Sequence, residues 1–215
     1  MHIIFDGLSH KNGRFFQESQ PEVPVDFVWR WHDKEYLGAA HGYSGILYFI
    51  LYYFDFIKNS IANDVLGSVH TTIEKCLSRC LVINGSEWNL KSSIGTRDRT
   101  YEEELVHWCH GAPGWIPLFC HQLIRNRTFT IPNKDAKVSG IEIAKHLGEC
   151  VWKRGLLKKG VGLCHGIGGN GLALYSIYRA TSDEIVSILR HFRTKTIILV
   201  AKSSSLFRRF WDRKL

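Results

Sequence analysis

The chain has 215 residues, 45% of them apolar, and only five prolines, which suits a single globular domain with a buried core. Lys and Arg outnumber Asp and Glu by 28 to 20, a formal charge of +8; the excess gathers at Lys153, Arg154, Lys158 and Lys159 and in the tail from Arg190 to Lys214, without any nucleic-acid module, so no nucleic-acid partner is expected. The opening Met1-His2-Ile3-Ile4-Phe5-Asp6 has no secretory leader, and the apolar run from Ile46 to Phe54 stops far short of the roughly 20 residues that span a bilayer, which predicts a cytosolic chain with no transmembrane segment.

Residues 1–26 read as an N-terminal extension. At His41 the first copy of a short pattern begins, His41-Gly42-Tyr43-Ser44-Gly45, and an apolar helix is expected from Ile46. The segment from Val65 to Val82 has the spacing of an amphipathic helix. A second copy, His110-Gly111-Ala112-Pro113-Gly114, precedes an apolar stretch from Trp115, and Ser139 to Trp152 is again amphipathic, with Ile141, Ala144, Leu147 and Val151 on one face. The third copy, His165-Gly166-Ile167-Gly168-Gly169, leads into an apolar run at Leu172. From residue 185 to 215 the chain is a divergent basic tail.

His-Gly-x-x-Gly thus recurs at positions 41, 110 and 165, spacings of 69 and 55 residues, each time as a glycine turn, an apolar helix, a polar linker and an amphipathic helix. Helical hairpins in an array are the expected result, with apolar helices inward, amphipathic helices outward and the glycine turns collected at one end. Gly166-Ile167-Gly168-Gly169-Asn170-Gly171 also matches the dinucleotide fingerprint. That fingerprint needs a strand before it and an acid about 20 residues on, whereas Asp183 and Glu184 come too early and the other two copies lack it.

Six cysteines occur, at 76, 80, 109, 120, 150 and 164. In a reducing compartment they stay free, and the sequons at Asn84 and Asn126 carry no weight without secretion. Cys76, Cys80, Cys120 and Cys150 read as small core side chains. Two turns carry Cys-His ahead of glycine, Cys109-His110 and Cys164-His165, while the first has Ala40 in the cysteine place. Equivalent turns of a repeat can bring two thiolates and an imidazole to one point, a donor set suited to zinc. Three protein donors leave a fourth position open, as in catalytic rather than structural zinc sites.

Trp108-Cys-His-Gly-Ala-Pro-Gly114 and Gly162-Leu-Cys-His-Gly-Ile-Gly-Gly-Asn-Gly171 resemble the signatures of the eukaryotic LanC-like proteins, as do Gly38-Ala-Ala-His-Gly-Tyr-Ser-Gly-Ile46 and Trp152-Lys-Arg-Gly-Leu-Leu-Lys-Lys-Gly160. The resemblance implies an all-α fold, an α/α toroid of seven helical hairpins of which about three fall in residues 27–184 of this chain. It assigns a Zn2+ site to Cys109, Cys164 and His165. It also implies a reaction, addition of the glutathione thiol to dehydroalanine or dehydrobutyrine residues of proteins. His41 is then the acid/base candidate, Lys159 the candidate for charge stabilisation or proton transfer, and His110, beside the metal, a second acid/base candidate.

The family's chain is nearly twice as long, so an open arc with apolar flanks that self-associate is expected, one that retains zinc binding and whose turnover the resemblance leaves open. Glu104 stands five residues before Cys109, where many relatives carry arginine, which weakens the case for binding an anionic substrate. The alternative to an enzyme is a non-catalytic glutathione- or protein-binding module of the same family, with a peripheral plasma-membrane contact through the basic residues. An α/α-toroid glycosidase is a third class, but the acids Glu102, Glu103 and Glu104 read as a solvated run rather than a catalytic pair.

Overall fold

The structure is a computed structural model, and it describes residues 27–58, 64–95, 99–132 and 136–181. The N-terminal extension, the basic tail and the acids Asp183 and Glu184 lie outside these residues. Six helices carry the fold: α1 (Tyr43–Tyr52), the short α2 (Phe54–Ile57), α3 (Val65–Cys80), α4 (Ala112–Cys120), α5 (Gly140–Arg154) and α6 (Ile167–Thr181). The strands make only three two-stranded antiparallel pairs. The class is all-α, and the arrangement is an arc of an α/α toroid.

Each His-Gly-x-x-Gly opens a helix, and α1, α4 and α6 follow the three copies in order. These are the apolar, inner helices. Helix α4 lies between α1 and α6 and also packs on α5, and its first eight residues put Trp115, Ile116, Leu118 and Phe119 entirely out of solvent. It is short because Pro117 removes one backbone donor from its interior and His121 turns extended behind it. The outer helices α3 and α5 bury one stripe each. Val69, Ile73, Cys76, Leu77 and Cys80 face inward on α3, and Ile143, Ala144, Leu147, Cys150 and Val151 on α5; at about 1.5–3 kcal/mol for each fully buried aliphatic side chain, these two stripes outweigh any helix propensity. Both starts are capped by a side chain accepting a backbone N–H, Asp64 from Gly67 and Ser139 from Glu142.

The helix expected over residues 65–82 ends two residues early. At Leu81 the chain becomes β2 (Leu81–Asn84), which pairs with β3 (Glu87–Leu90) so that Leu81 faces Leu90 and Asn84 faces Glu87. The β-branched Val82 and Ile83 favour a strand, and Gly85 at φ +59° opens the two-residue turn. Trp88 of this hairpin lies fully buried with His146 of α5 stacked 4.1 Å over it. Elsewhere β1 (Glu35–Tyr36) pairs with β4 (Ser93–Ile94), and β5 (Thr128–Thr130) with β6 (Lys137–Ser139). Glu35 ties β1 to two helices: it accepts a 2.7 Å hydrogen bond from the Tyr43 hydroxyl and lies 3.8 Å from Lys75.

The acidic run departs from expectation at one residue. Glu102 and Glu103 sit exposed on a 3-10 turn capped by Thr100, but Glu104 is only 3% exposed. Arg154 Nη2 donates to the carbonyl oxygens of Glu102 and Glu104, pinning the segment against the end of α5 and turning the third acid inward. Two members of the first basic cluster therefore have structural work, since Lys153 also pairs with Glu87 at 2.7 Å. No helix among the described residues is long and apolar enough to cross a membrane.

The glycines of the repeat share one packing duty. A Cβ on the first glycine of each copy, Gly42, Gly111 or Gly166, would meet the carbonyl of the residue six earlier, Tyr36, Leu105 or Gly160. The second glycine repeats the relation: Gly45 meets Ala39, Gly114 meets Trp108 and Gly169 meets Leu163, again six residues back. Each loop thus lies across the first turn of the helix it precedes, at a distance that only glycine permits. Gly114→Ala is expected to cost about 1–3 kcal/mol in urea-melt stability through overpacking. Gly171→Ala, within α6 and with nothing within 4 Å of the added carbon, is expected to gain about 0.5–1 kcal/mol from helix propensity.

Candidate metal centre

The three glycine turns stand side by side because their backbones are hydrogen-bonded to one another. Ala39 N–H of the first turn donates to Trp108 O of the second at 3.2 Å, and Cys109 N–H of the second donates to Cys164 O of the third at 3.1 Å. Residues separated by more than fifty positions therefore meet. Cys109 Sγ, Cys164 Sγ and a ring nitrogen of His165 all lie within 4.8 Å of one another. Cys109 is buried, whereas Cys164 and His165 face outward.

Two asparagines hold the loop in front of Cys109. Asn89, on β3, accepts Ala112 N–H at 2.7 Å and donates to Leu105 O at 3.1 Å. Asn170, on α6, donates to Val106 O and Gly155 O at 3.0 and 2.9 Å. Leu105 and Val106 are fixed from opposite sides, and a bridge between His107 and His110 closes the turn that presents Cys109.

The electrostatics around Cys109 favour its neutral thiol. Burial, followed by the neighbouring Cys164 thiol, raises the Cys109 pKa, and the Lys159 charge opposes the rise only weakly. His107 is held near 4 by burial first, then by Lys159, His110 and His165 around it. Its ring centroid lies 6.4 Å from that of His165. Lys159 is exposed, and its charge acts to lower the pKa of both His107 and Cys109.

The other histidines form a second group. His41 packs edge-on against Tyr36 at 4.7 Å and against His110 at 5.5 Å between ring centroids. His41 is exposed and His110 half-buried; His110 Nδ1 is buried and has no hydrogen-bond partner among the described residues. Burial and then the charge of His41 lower the His110 pKa, while the Ser92 carbonyl opposes them. Of the candidate residues, the structure thus gathers Cys109, Cys164 and His165 in one group and His41 with His110 in another, across the first and second turns; Lys159 acts on the first group through its charge.

Two neighbours escaped the reading of the sequence. His107 lies two before Cys109 but has no counterpart in the other copies, so the repeat could not single it out. Tyr36 precedes its turn by five residues in a stretch without periodicity, and only the β1–β4 pairing brings its ring over His41 and His110.

An all-α array of hairpins with a Cys-Cys-His donor set across two turns defines a narrow class of protein. A sequence profile of the lanthionine synthetase C-like proteins matches residues 25–204, and the chain belongs to that family. It is similar to the zebrafish (Danio rerio) glutathione S-transferase LANCL1, 32% identical over 184 residues that make up 84% of this chain and 40% of the relative. It is also similar to the Arabidopsis thaliana LanC-like protein GCL1, 32% identical over 158 residues, 74% of this chain and 31% of the relative. The chain therefore spans well under half the length of either relative.

Because His107 stays neutral down to about pH 4 in the folded chain but takes a proton near 6.5 when unfolded, it favours the unfolded state in acid. The contribution of this group is expected to be constant from pH 7 upward and to turn destabilising between pH 6.5 and 4. Urea melts across this range check it, and His107→Gln should flatten part of the slope.

Proposed function

We propose that the chain binds one zinc ion through Cys109, Cys164 and His165 and that this centre serves the addition of glutathione to dehydroalanine or dehydrobutyrine residues of proteins. The observation that carries the reading is the meeting of three soft donors within 4.8 Å on turns two and three. Tetrahedral zinc with bonds of about 2.0–2.3 Å wants its donors roughly 3.3–3.8 Å apart, so small side-chain rotations suffice to close the set. The reaction class comes from the family and from the name of the zebrafish relative, and the fraction of that relative covered makes it a reading for this chain.

A zinc ion held there lowers the pKa of a coordinated thiol and so supplies a thiolate at neutral pH. Lys159 receives one of the carboxylates of glutathione and orients the tripeptide. The sulfur forms a bond to the β-carbon of the dehydro residue, and the displaced π pair moves onto the α-carbon and its carbonyl. His41 delivers a proton to the α-carbon, and the proton released by the thiol returns to His41 by way of His110, packed against it. Nothing leaves: one C–S and one C–H bond form, one C=C becomes single, and the thiol proton is the proton gained.

The purified chain is expected to carry one zinc per molecule by elemental analysis, falling to background in Cys109→Ala and Cys164→Ala. A folded wild-type chain that takes up no zinc would falsify the reading. In an assay with glutathione and a dehydroalanine peptide, His41→Asn is expected to lower kcat by about 10²–10⁴-fold with zinc content unchanged. Lys159→Met should instead raise KM for glutathione. Zinc and glutathione binding without any addition to the peptide would favour the second reading, a non-catalytic binding module.

A further inference from the structure

Cys164 is the only one of the six cysteines that stands exposed, and the thiol beside it, Cys109, is buried. Their sulfurs lie within 4.8 Å of each other, at a range where one thiol hydrogen-bonds the other. The backbones beneath are held just as closely, because Cys109 N–H donates to Cys164 O at 3.1 Å. Such a bond keeps two α-carbons roughly 5–6 Å apart, the middle of the span that disulfides use. Rotation about the two Cα–Cβ bonds is then enough to join the sulfurs with neither loop displaced.

The other cysteines offer no such pair. Cys76 and Cys80 lie one turn apart on α3 and are buried, and that spacing holds two β-carbons about 5–6 Å apart, too far for a bridge that wants about 3.8 Å. Cys120 closes α4 and Cys150 lies in the buried stripe of α5; neither has another cysteine among the groups that act on its thiol. Exposure also separates the two members of the pair by role. A bulky reagent reaches the sulfur of Cys164 directly, whereas Cys109 meets it only after it has become attached to Cys164.

We infer that Cys164 and Cys109 undergo thiol–disulfide exchange with glutathione disulfide, Cys164 as the attacking thiol and Cys109 as the resolving one, and close into an intrachain disulfide. The exchange needs no further reactant. Cys164 Sγ attacks one sulfur of glutathione disulfide; the bond to Cys164 forms, the bond within the reagent breaks, and one glutathione leaves with the proton that Cys164 gave up. Cys109 Sγ then attacks Cys164 Sγ; the intrachain bond forms, the mixed bond breaks, and the second glutathione leaves with the proton of Cys109. Two protein thiols are oxidised by two electrons, and one glutathione disulfide is reduced to two glutathiones. The inference deepens the proposed function and rests on it for the ion alone: a pair joined in a disulfide has no thiolate to offer a metal, so the same exchange switches the zinc centre off.

Mass spectrometry of the full chain after incubation with glutathione disulfide and an acid quench tests this. The parent chain is expected to lose two hydrogens, to yield the Cys109 and Cys164 peptides joined in a digest, and to regain both thiols with dithiothreitol. Cys109→Ser removes the resolving thiol and should accumulate one glutathionyl group at Cys164. Cys164→Ser should stay unmodified although Cys109 is still present. His165→Ala, which removes the third proposed donor and neither sulfur, should close the bridge as the parent does. Zinc released from the parent to a colorimetric chelator should rise in step with the bridge; a bridge formed in a chain that held no zinc supports the exchange and sinks only the zinc reading. A parent chain whose two thiols stay free, that keeps glutathione on Cys164 without closing the bridge, or that joins other cysteines instead, overturns the inference.

Discussion

Everything in this arc depends on carbonyl oxygens lying where a side chain would otherwise be. Six times, a glycine of His-Gly-x-x-Gly takes the carbonyl of the residue six before it against its bare α-carbon. That contact folds each loop back over its own helix start, which lets the next turn dock beside it through backbone hydrogen bonds such as Cys109 N–H to Cys164 O. Side chains are then presented at one end of the array by backbone geometry alone. The donor set is a consequence of this packing and not its cause.

A division of labour follows among the helices. The amphipathic α3 and α5 supply the stability, burying one stripe each and closing off the core with Trp88, Phe129 and their hairpins. The inner helices supply the surface. Helix α4 is buried nearly all round, while α1 and α6 leave Phe49, Tyr52, Leu172 and Tyr175 in solvent. Polar side chains are spent sparingly and locally: Asn89 and Asn170 grip the loop before Cys109, and Arg154 grips the one before that.

The helical order was legible because three copies of one pattern, each followed by an apolar run, repeat a periodicity that no other fold requires. The amphipathic stripes of α3 and α5 and the serine cap at Ser139 were equally plain. What escaped depends on partners far away in sequence. Val82 continues the helical spacing of α3, yet the pull of Gly85 and a strand partner at Asn89 made it β2. Glu104 reads as a solvated acid beside Glu102 and Glu103, and only Arg154, fifty residues later, decides that it is buried. His107 carries no local mark at all; its place beside His165 exists only once two turns have docked. For the donor trio, the repeat suggested which turns would meet, and family resemblance supplied which of the two histidines belongs with the thiols.

The backbone bond between Cys109 and Cys164 ties the two loops main chain to main chain. Part of the loss of freedom in gathering the trio is therefore charged to the folding of the hairpins. On the zinc reading proposed above, capture of the ion would be a readout of whether neighbouring hairpins are docked. In a chain built from stacked units, ion content would then report on the integrity of one joint, the one between α4 and α6, rather than on the molecule at large.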